Sequence, residues 1–161
     1  MPIEGRAAQL PDADGMQGYA AGFVAEMNER SRLPLDYTVV SLRIVDFVVD
    51  GLRRGGPDRS GVDRFLQGLG AYVGEVIVRR AGARWVDLDA DQRELFGQTV
   101  GIRMPDGRVW NPLGKVVKRF EHGATESVER FYLLLHGRRP PTRRGPTGRP
   151  TACSDPQRAA C

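Results

Sequence analysis

Cysteine, histidine and lysine are all scarce in this sequence, and each scarcity excludes something. Cys153 and Cys161 are the only cysteines, and both fall in the last stretch of the chain. They cannot staple a core, and no Cys-x-x-Cys or Cys/His cluster offers zinc ligands. The two histidines, His122 and His136, do not make a metal site, and each sits where a cationic side chain would suit a helix C-terminus. No apolar run approaches the roughly 18 residues needed to cross a bilayer. The start, MPIEGRAAQLPDADG, is acidic and has no apolar core, so a secretory signal is not expected and the cytoplasm is the expected location. No G-x-S-x-G elbow occurs, and no Gly-Lys-Ser/Thr follows the glycine-rich Arg53–Pro57 stretch. No catalytic residue and no cofactor is implied, and the reading leans away from an enzyme.

What is abundant is arginine. Lys115 and Lys118 are the only lysines among 24 basic residues. The excess reads first as the codon bias of a GC-rich genome, although the guanidinium fork is also the better anion ligand. The net charge of +4 is unevenly placed: residues 137–161 hold six arginines against Asp155, a net of +5, so residues 1–136 carry −1. A nearly neutral folded part lacks the positive face that a nucleic-acid-binding fold would need.

Periodicity divides the chain into a disordered lead over 1–15, one α+β domain over 16–136 and a disordered Arg/Pro-rich tail over 137–161. The tail has five prolines and no aromatic or large aliphatic residue, so it cannot bury enough apolar surface to offset its ordering entropy. Within the domain, Tyr19, Phe23 and Met27 recur every four residues and predict a helix over 16–32. Thr38 is a candidate N-cap for a helix over 39–54, with Leu42, Val45, Val49 and Leu52 on one side and Gly55-Gly56-Pro57 as the stop. A third helix over 59–80 carries Val62, Phe65, Leu66, Leu69, Val73, Val76 and Ile77. Its Gly70 and Gly74, one turn apart, point to the close approach of another backbone, and Gly82 is its stop.

The period then shortens. Arg84–Leu88 reads as a strand and Asp89–Leu95 as a turn or short helix. Thr99–Met104 and Arg108–Trp110 flank the hairpin turn Pro105-Asp106-Gly107. Asn111-Pro112 opens a helix that Gly123 ends, and a last helix spans 126–136. The predicted order is three helices, a small antiparallel sheet of about three strands, then two helices.

Few residues are placed oddly enough to suggest a site. Asp87, Asp89 and Asp91 resemble a calcium loop only loosely, without its glycine or its distal glutamate, and read as a solvated turn. Glu75 lies between Val73 and Val76 on the most apolar helix, where an unpaired carboxylate is costly. It is expected at the surface or paired with Lys115, Lys118 or Arg119, and such a pair would either be structural or line a polar pocket. Trp85 and Trp110 read as core or sheet-face residues, or, if exposed, as a partner surface.

The segments Leu35–Thr38, Gly70–Val76, Pro105–Gly107, Asn111–Arg119 and Phe131-Tyr132 resemble a family of small uncharacterised bacterial proteins, actinobacterial in type. The likeness spans about residues 35–134 and implies a domain of unknown function, adding a boundary but no mechanism. The expected function is therefore a non-catalytic protein-interaction or regulatory module with another protein as partner. The alternatives are nucleic-acid or anionic-surface binding through Arg138, Arg139, Arg143, Arg144 and Arg149, and a small-molecule pocket around Glu75 and Lys118.

Overall fold

The computed structural model describes residues 9–56 and 58–137. Residues 1–8, Pro57 and the tail with Arg138, Arg139, Arg143, Arg144 and Arg149 lie outside the described residues. The elements are α1 (Met16–Ser31), α2 (Ser41–Arg54), α3 (Arg59–Ala81), β1 (Arg84–Asp87), α4 (Ala90–Phe96), β2 (Val100–Arg103), β3 (Val109–Trp110), α5 (Pro112–His122) and α6 (Val128–Tyr132). A π-helical turn, Leu133–Gly137, continues α6. The fold is α+β, with an antiparallel sheet ordered β1-β2-β3.

The centre of the fold is α3. Residues 68–77 are buried without interruption, including both sides of the helix. A helix that is apolar all round has to be surrounded, and α3 is packed chiefly by α5 and α1, with α2 and the strands completing the shell. The glycines explain how neighbours come so close. A Cβ at Gly70 would lie 2.8 Å from the Leu113 Cα of α5, the close backbone approach that the sequence indicates. Gly68 and Gly74 receive rings instead, those of Phe23 and Trp85.

Local signals set most boundaries. Gly82 takes the left-handed conformation at φ 70° and ends α3, while Asn111 accepts a bond from Gly114 N at 2.8 Å and starts α5 with Pro112 at its first position. Helix α2 begins two residues later than expected, after a turn that Thr38 starts. The Thr38 hydroxyl accepts from Ser41 N at 3.2 Å, three i→i+3 bonds follow, and the α-helix proper begins at Ser41. The hairpin turn carries Gly107 at φ 89°, and Asp106 accepts from Arg108 N at 3.0 Å.

Three expectations are corrected. Residues 9–15 do not all behave as a lead: Ala13–Gly15 form a 3-10 turn, Ala13 N donates to Asp87 Oδ1 at 3.0 Å, and Leu10 packs beside Met16 and Leu113. The predicted order of three helices, sheet and two helices leaves out α4, although the short-helix reading of Asp89–Leu95 is the one the structure takes. The reason is a capping box, in which Asp89 accepts from Gln92 N at 2.8 Å and the Gln92 side chain accepts from Asp89 N at 3.1 Å. The Asp87–Asp91 run is thus a strand end and a helix start. The final helix begins at Val128 rather than 126, because Ala124–Glu126 form a separate 3-10 turn and Ser127 supplies the cap.

Candidate functional site

Glu75 is 2% exposed, so its partners decide what the surrounding residues can do. They are not the basic residues of α5. Oε1 accepts from Arg79 Nε at 3.0 Å, four residues along the same helix, and Oε2 accepts from Trp85 Nε1 at 3.1 Å. The Arg79 guanidinium lies 3.6 Å from the centre of the Tyr37 ring. Tyr37 holds a left-handed backbone at φ 60°, a conformation that costs energy for a large side chain. Two bonds fix it there: Tyr37 N donates to the Tyr72 hydroxyl at 3.0 Å, and Arg80 Nε donates to Tyr37 O at 2.9 Å.

The chain of donors continues inward. Ser41 Oγ donates to Thr38 O at 2.6 Å, which leaves its 2.5 Å contact with Tyr72 to be donated by the phenol. Burial pushes the Tyr72 hydroxyl above its ordinary range. The whole set is closed on itself. It ties the α1–α2 loop to the end of α3 and gives each oxygen of Glu75 a partner within the fold.

The other expected site residues are parted among different structures. Lys115 pairs with Glu126 and stands 5.6 Å from the Phe131 ring, and its ammonium holds the Glu126 carboxyl below the usual range. Arg119 is buried and pairs with Asp46 at 3.2 Å. Lys118 is exposed and lines a groove of about 290 Å³ with Leu95, Phe96, Val117 and Glu121, between α4 and α5. The sequence brought these cations to Glu75 because all four residues fall on apolar helices. The structure separates them because Glu75 meets a partner one turn away, Lys115 and Arg119 turn toward the 124–126 turn and α2, and Lys118 faces the α4–α5 groove.

Trp85 and Trp110 are both half-buried residues of the sheet. Both pair across to Ile102, so the row Trp85–Ile102–Trp110 forms the inner face of the sheet. Trp110 packs edge-on against Phe131 at 5.8 Å, and Trp85 fills the space over Gly74.

No family model, curated protein or solved structure matches this chain. The residues must therefore speak for themselves. Among the described residues no group of three or more His, Cys, Asp or Glu side chains is placed to hold a metal ion, and no helix is long and apolar enough to cross a membrane.

The surface feature that sequence reasoning missed lies on α2. Phe47 is 79% exposed and Val40 is 67% exposed, while Ile44 between them is half-buried. Positions 40, 44, 47 and 51 share one side of the helix, opposite the buried Leu42, Val45 and Val49. A Cβ at Gly51 would meet nothing, so the stripe ends on a flat, open surface. At its edge Arg43 pairs with Glu129 of α6 at 2.8 Å. The signal was available in the sequence as a second apolar series on α2, masked by the stronger one facing the core.

Proposed function

We propose that the chain is a non-catalytic protein-interaction module that receives a partner protein on the outer stripe of α2. The supporting observation is Phe47, an aromatic side chain 79% exposed on an ordered helix and flanked at helical spacing by Val40 and Ile44. Aromatic anchors of this kind supply much of the affinity at protein interfaces, and charged neighbours such as Arg43, Asp50 and Arg54 make the polar rim that surrounds such an anchor. The open surface at Gly51 lets a partner backbone approach closely, which suits a helix laid across the stripe. The Glu75 cluster then has a supporting role: it fixes the loop that leads into α2 and so fixes the stripe.

The test compares three full-length baits, wild type, Phe47→Ala and Leu95→Ala, in nuclease-treated extracts of the source cells. Leu95 is equally exposed, at 77%, but belongs to the α4–α5 groove. Wild type and Leu95→Ala are expected to retain the same protein, and Phe47→Ala to lose it. With the partner purified, Phe47→Ala should weaken binding by about 30-fold, the loss of a hot-spot side chain. Its stability should stay within about 0.5 kcal/mol of wild type, because little of the ring is buried. An unchanged set of captured proteins with Phe47→Ala, or no protein held by wild type, refutes the proposal.

A further inference from the structure

The outer face of α2 is complementary to itself. Val40, Arg43, Phe47, Asp50 and Arg54 recur at alternating spacings of three and four, which is the spacing of a seam between two helices. All but the half-buried Asp50 are exposed. Phe47 is the midpoint of this face along the axis, with Val40 and Arg54 equally far on either side. It is the midpoint around the axis as well. At about 100° per residue, Arg43 and Asp50 flank it on one side and Ile44 and Gly51 on the other.

A two-fold axis at Phe47 relates this face to a second, antiparallel copy, and each flank then lies against the same flank of the other helix. Arg43 meets Asp50 of the second copy, and by symmetry the pair forms twice. Ile44 meets Gly51, where a Cβ would find nothing within 4 Å, so a branched side chain faces the open position. Phe47 meets Phe47, and the aliphatic stem of Arg54 covers Val40. The internal partners of the two charged residues do not prevent this. Glu129 holds Arg43 through Nε and Arg54 holds Asp50 through Oδ2, but a guanidinium has two further nitrogens and a carboxylate accepts about four hydrogen bonds.

Other arrangements fit less well. A parallel pairing would set Arg43 against Arg43 and Asp50 against Asp50, and would leave Gly51 facing Gly51. A helix of an unrelated protein could match the charges one by one, but it gives no reason for their symmetry about Phe47. An isologous contact does, because each residue of one half must find its complement in the other half.

We propose that the stripe on α2 is covered by the same stripe of a second copy of this chain, antiparallel and related by a two-fold axis at Phe47. The inference rests on reading the stripe as a docking surface and names its occupant. From Val40 to Arg54 the contact runs about 22 Å, one helix against one helix. That is small for a specific interface, so the dimer should be weak, with a Kd on the order of 10 μM.

Sedimentation equilibrium of the full-length chain, from about tenfold below to about tenfold above that Kd, reads the dimer directly. Phe47→Ala should weaken it by about 100-fold or more because both rings are lost, and Leu95→Ala should leave it unchanged. The register is read by disulfide trapping in a glutathione buffer, in a full-length Cys153→Ser/Cys161→Ser background that lacks the native thiols. Val40→Cys and Arg54→Cys each replace an exposed side chain, so both variants should fold. Alone, neither should cross-link, because the two-fold axis holds identical positions about 21 Å apart; mixed, they should give a covalent dimer. The proposal is overturned by wild type that stays monomeric throughout, by a dimer that Phe47→Ala leaves intact, or by Val40→Cys linking to itself in preference to Arg54→Cys. A monomeric chain that still captures a different protein through Phe47 overturns this inference and leaves the docking reading standing.

Discussion

Asp46→Ala is expected to remove about 3–5 kcal/mol of stability, a large part of what a domain of this size has. The reason is the number of groups that converge on one carboxylate. Oδ1 accepts from Arg119 Nε at 3.2 Å and from Val128 N at 2.8 Å. Oδ2 accepts from Ser127 Oγ at 2.8 Å and from Glu129 N at 3.2 Å. Asp46 therefore caps the N-terminus of α6 from another helix while neutralising a buried guanidinium. Ser127 completes the cap by accepting from Arg130 N at 3.2 Å. Five residues of α6 are too few to hold helical structure alone, so its docking depends on this anchor.

Alanine at 46 would leave Arg119 buried, with Asp50 Oδ1 at 3.6 Å as its nearest remaining carboxylate and Nη1 already without a partner. A buried charge left with only this longer pair is what makes the loss large, more than the bonds themselves. It follows that Asp46→Ala/Arg119→Met should be more stable than Asp46→Ala alone, because the second change removes the stranded charge and keeps an apolar side chain in its place. Urea denaturation of wild type, both single variants and the double variant measures this as a cycle. A single variant within about 0.5 kcal/mol of wild type would show that α6 is anchored by its apolar residues alone.

The Asp46 network also marks where the sequence stops being informative. The boundaries of α1, α3 and α5 were legible because each is set by residues a few positions apart: the Tyr19–Met27 series, Gly82, and Asn111-Pro112. The Asp89-x-x-Gln92 box was equally local and was obscured by the acidic run around it. The Glu75–Arg79 pair is an i,i+4 interaction and was legible by the same rule, but the second partner, Trp85, reaches Glu75 only after the chain turns at Gly82. Asp46 meets Arg119 and residues 127–129 at sequence separations of 73 to 83, and no local pattern encodes that meeting. The pairing of Arg84 with Arg103 across β1 and β2 depends on strand register across the α4 insertion, so counting outward from the hairpin turn could not supply it. Exposure was the least legible property. Phe47 and Trp110 are both aromatic residues near apolar neighbours, yet one is turned to solvent and the other is packed against Phe131.

Gly74→Ala is expected to cost about 3 kcal/mol, although it places the best helix former in the middle of a helix. Intrinsic propensity favours alanine over glycine by about 1 kcal/mol. Against this stands the Trp85 ring, which occupies the position a Cβ would take, with Pro112 Cγ at 3.1 Å on the other side. Overpacking of this kind costs about 1–3 kcal/mol. The ring cannot move away without a further loss, because Trp85 Nε1 is the partner of Glu75 Oε2, and a buried carboxylate oxygen left unmatched costs about 1–3 kcal/mol more. Gly22→Ala in α1 isolates the propensity effect, since a Cβ there meets nothing within 4 Å, and it should stabilise by up to about 1 kcal/mol. Urea midpoints for the two variants should therefore move in opposite directions, with a change in tryptophan emission for Gly74→Ala only. Equal stabilisation of both would mean that Trp85 has room to move, and with it that Glu75 does not depend on the indole for its second partner.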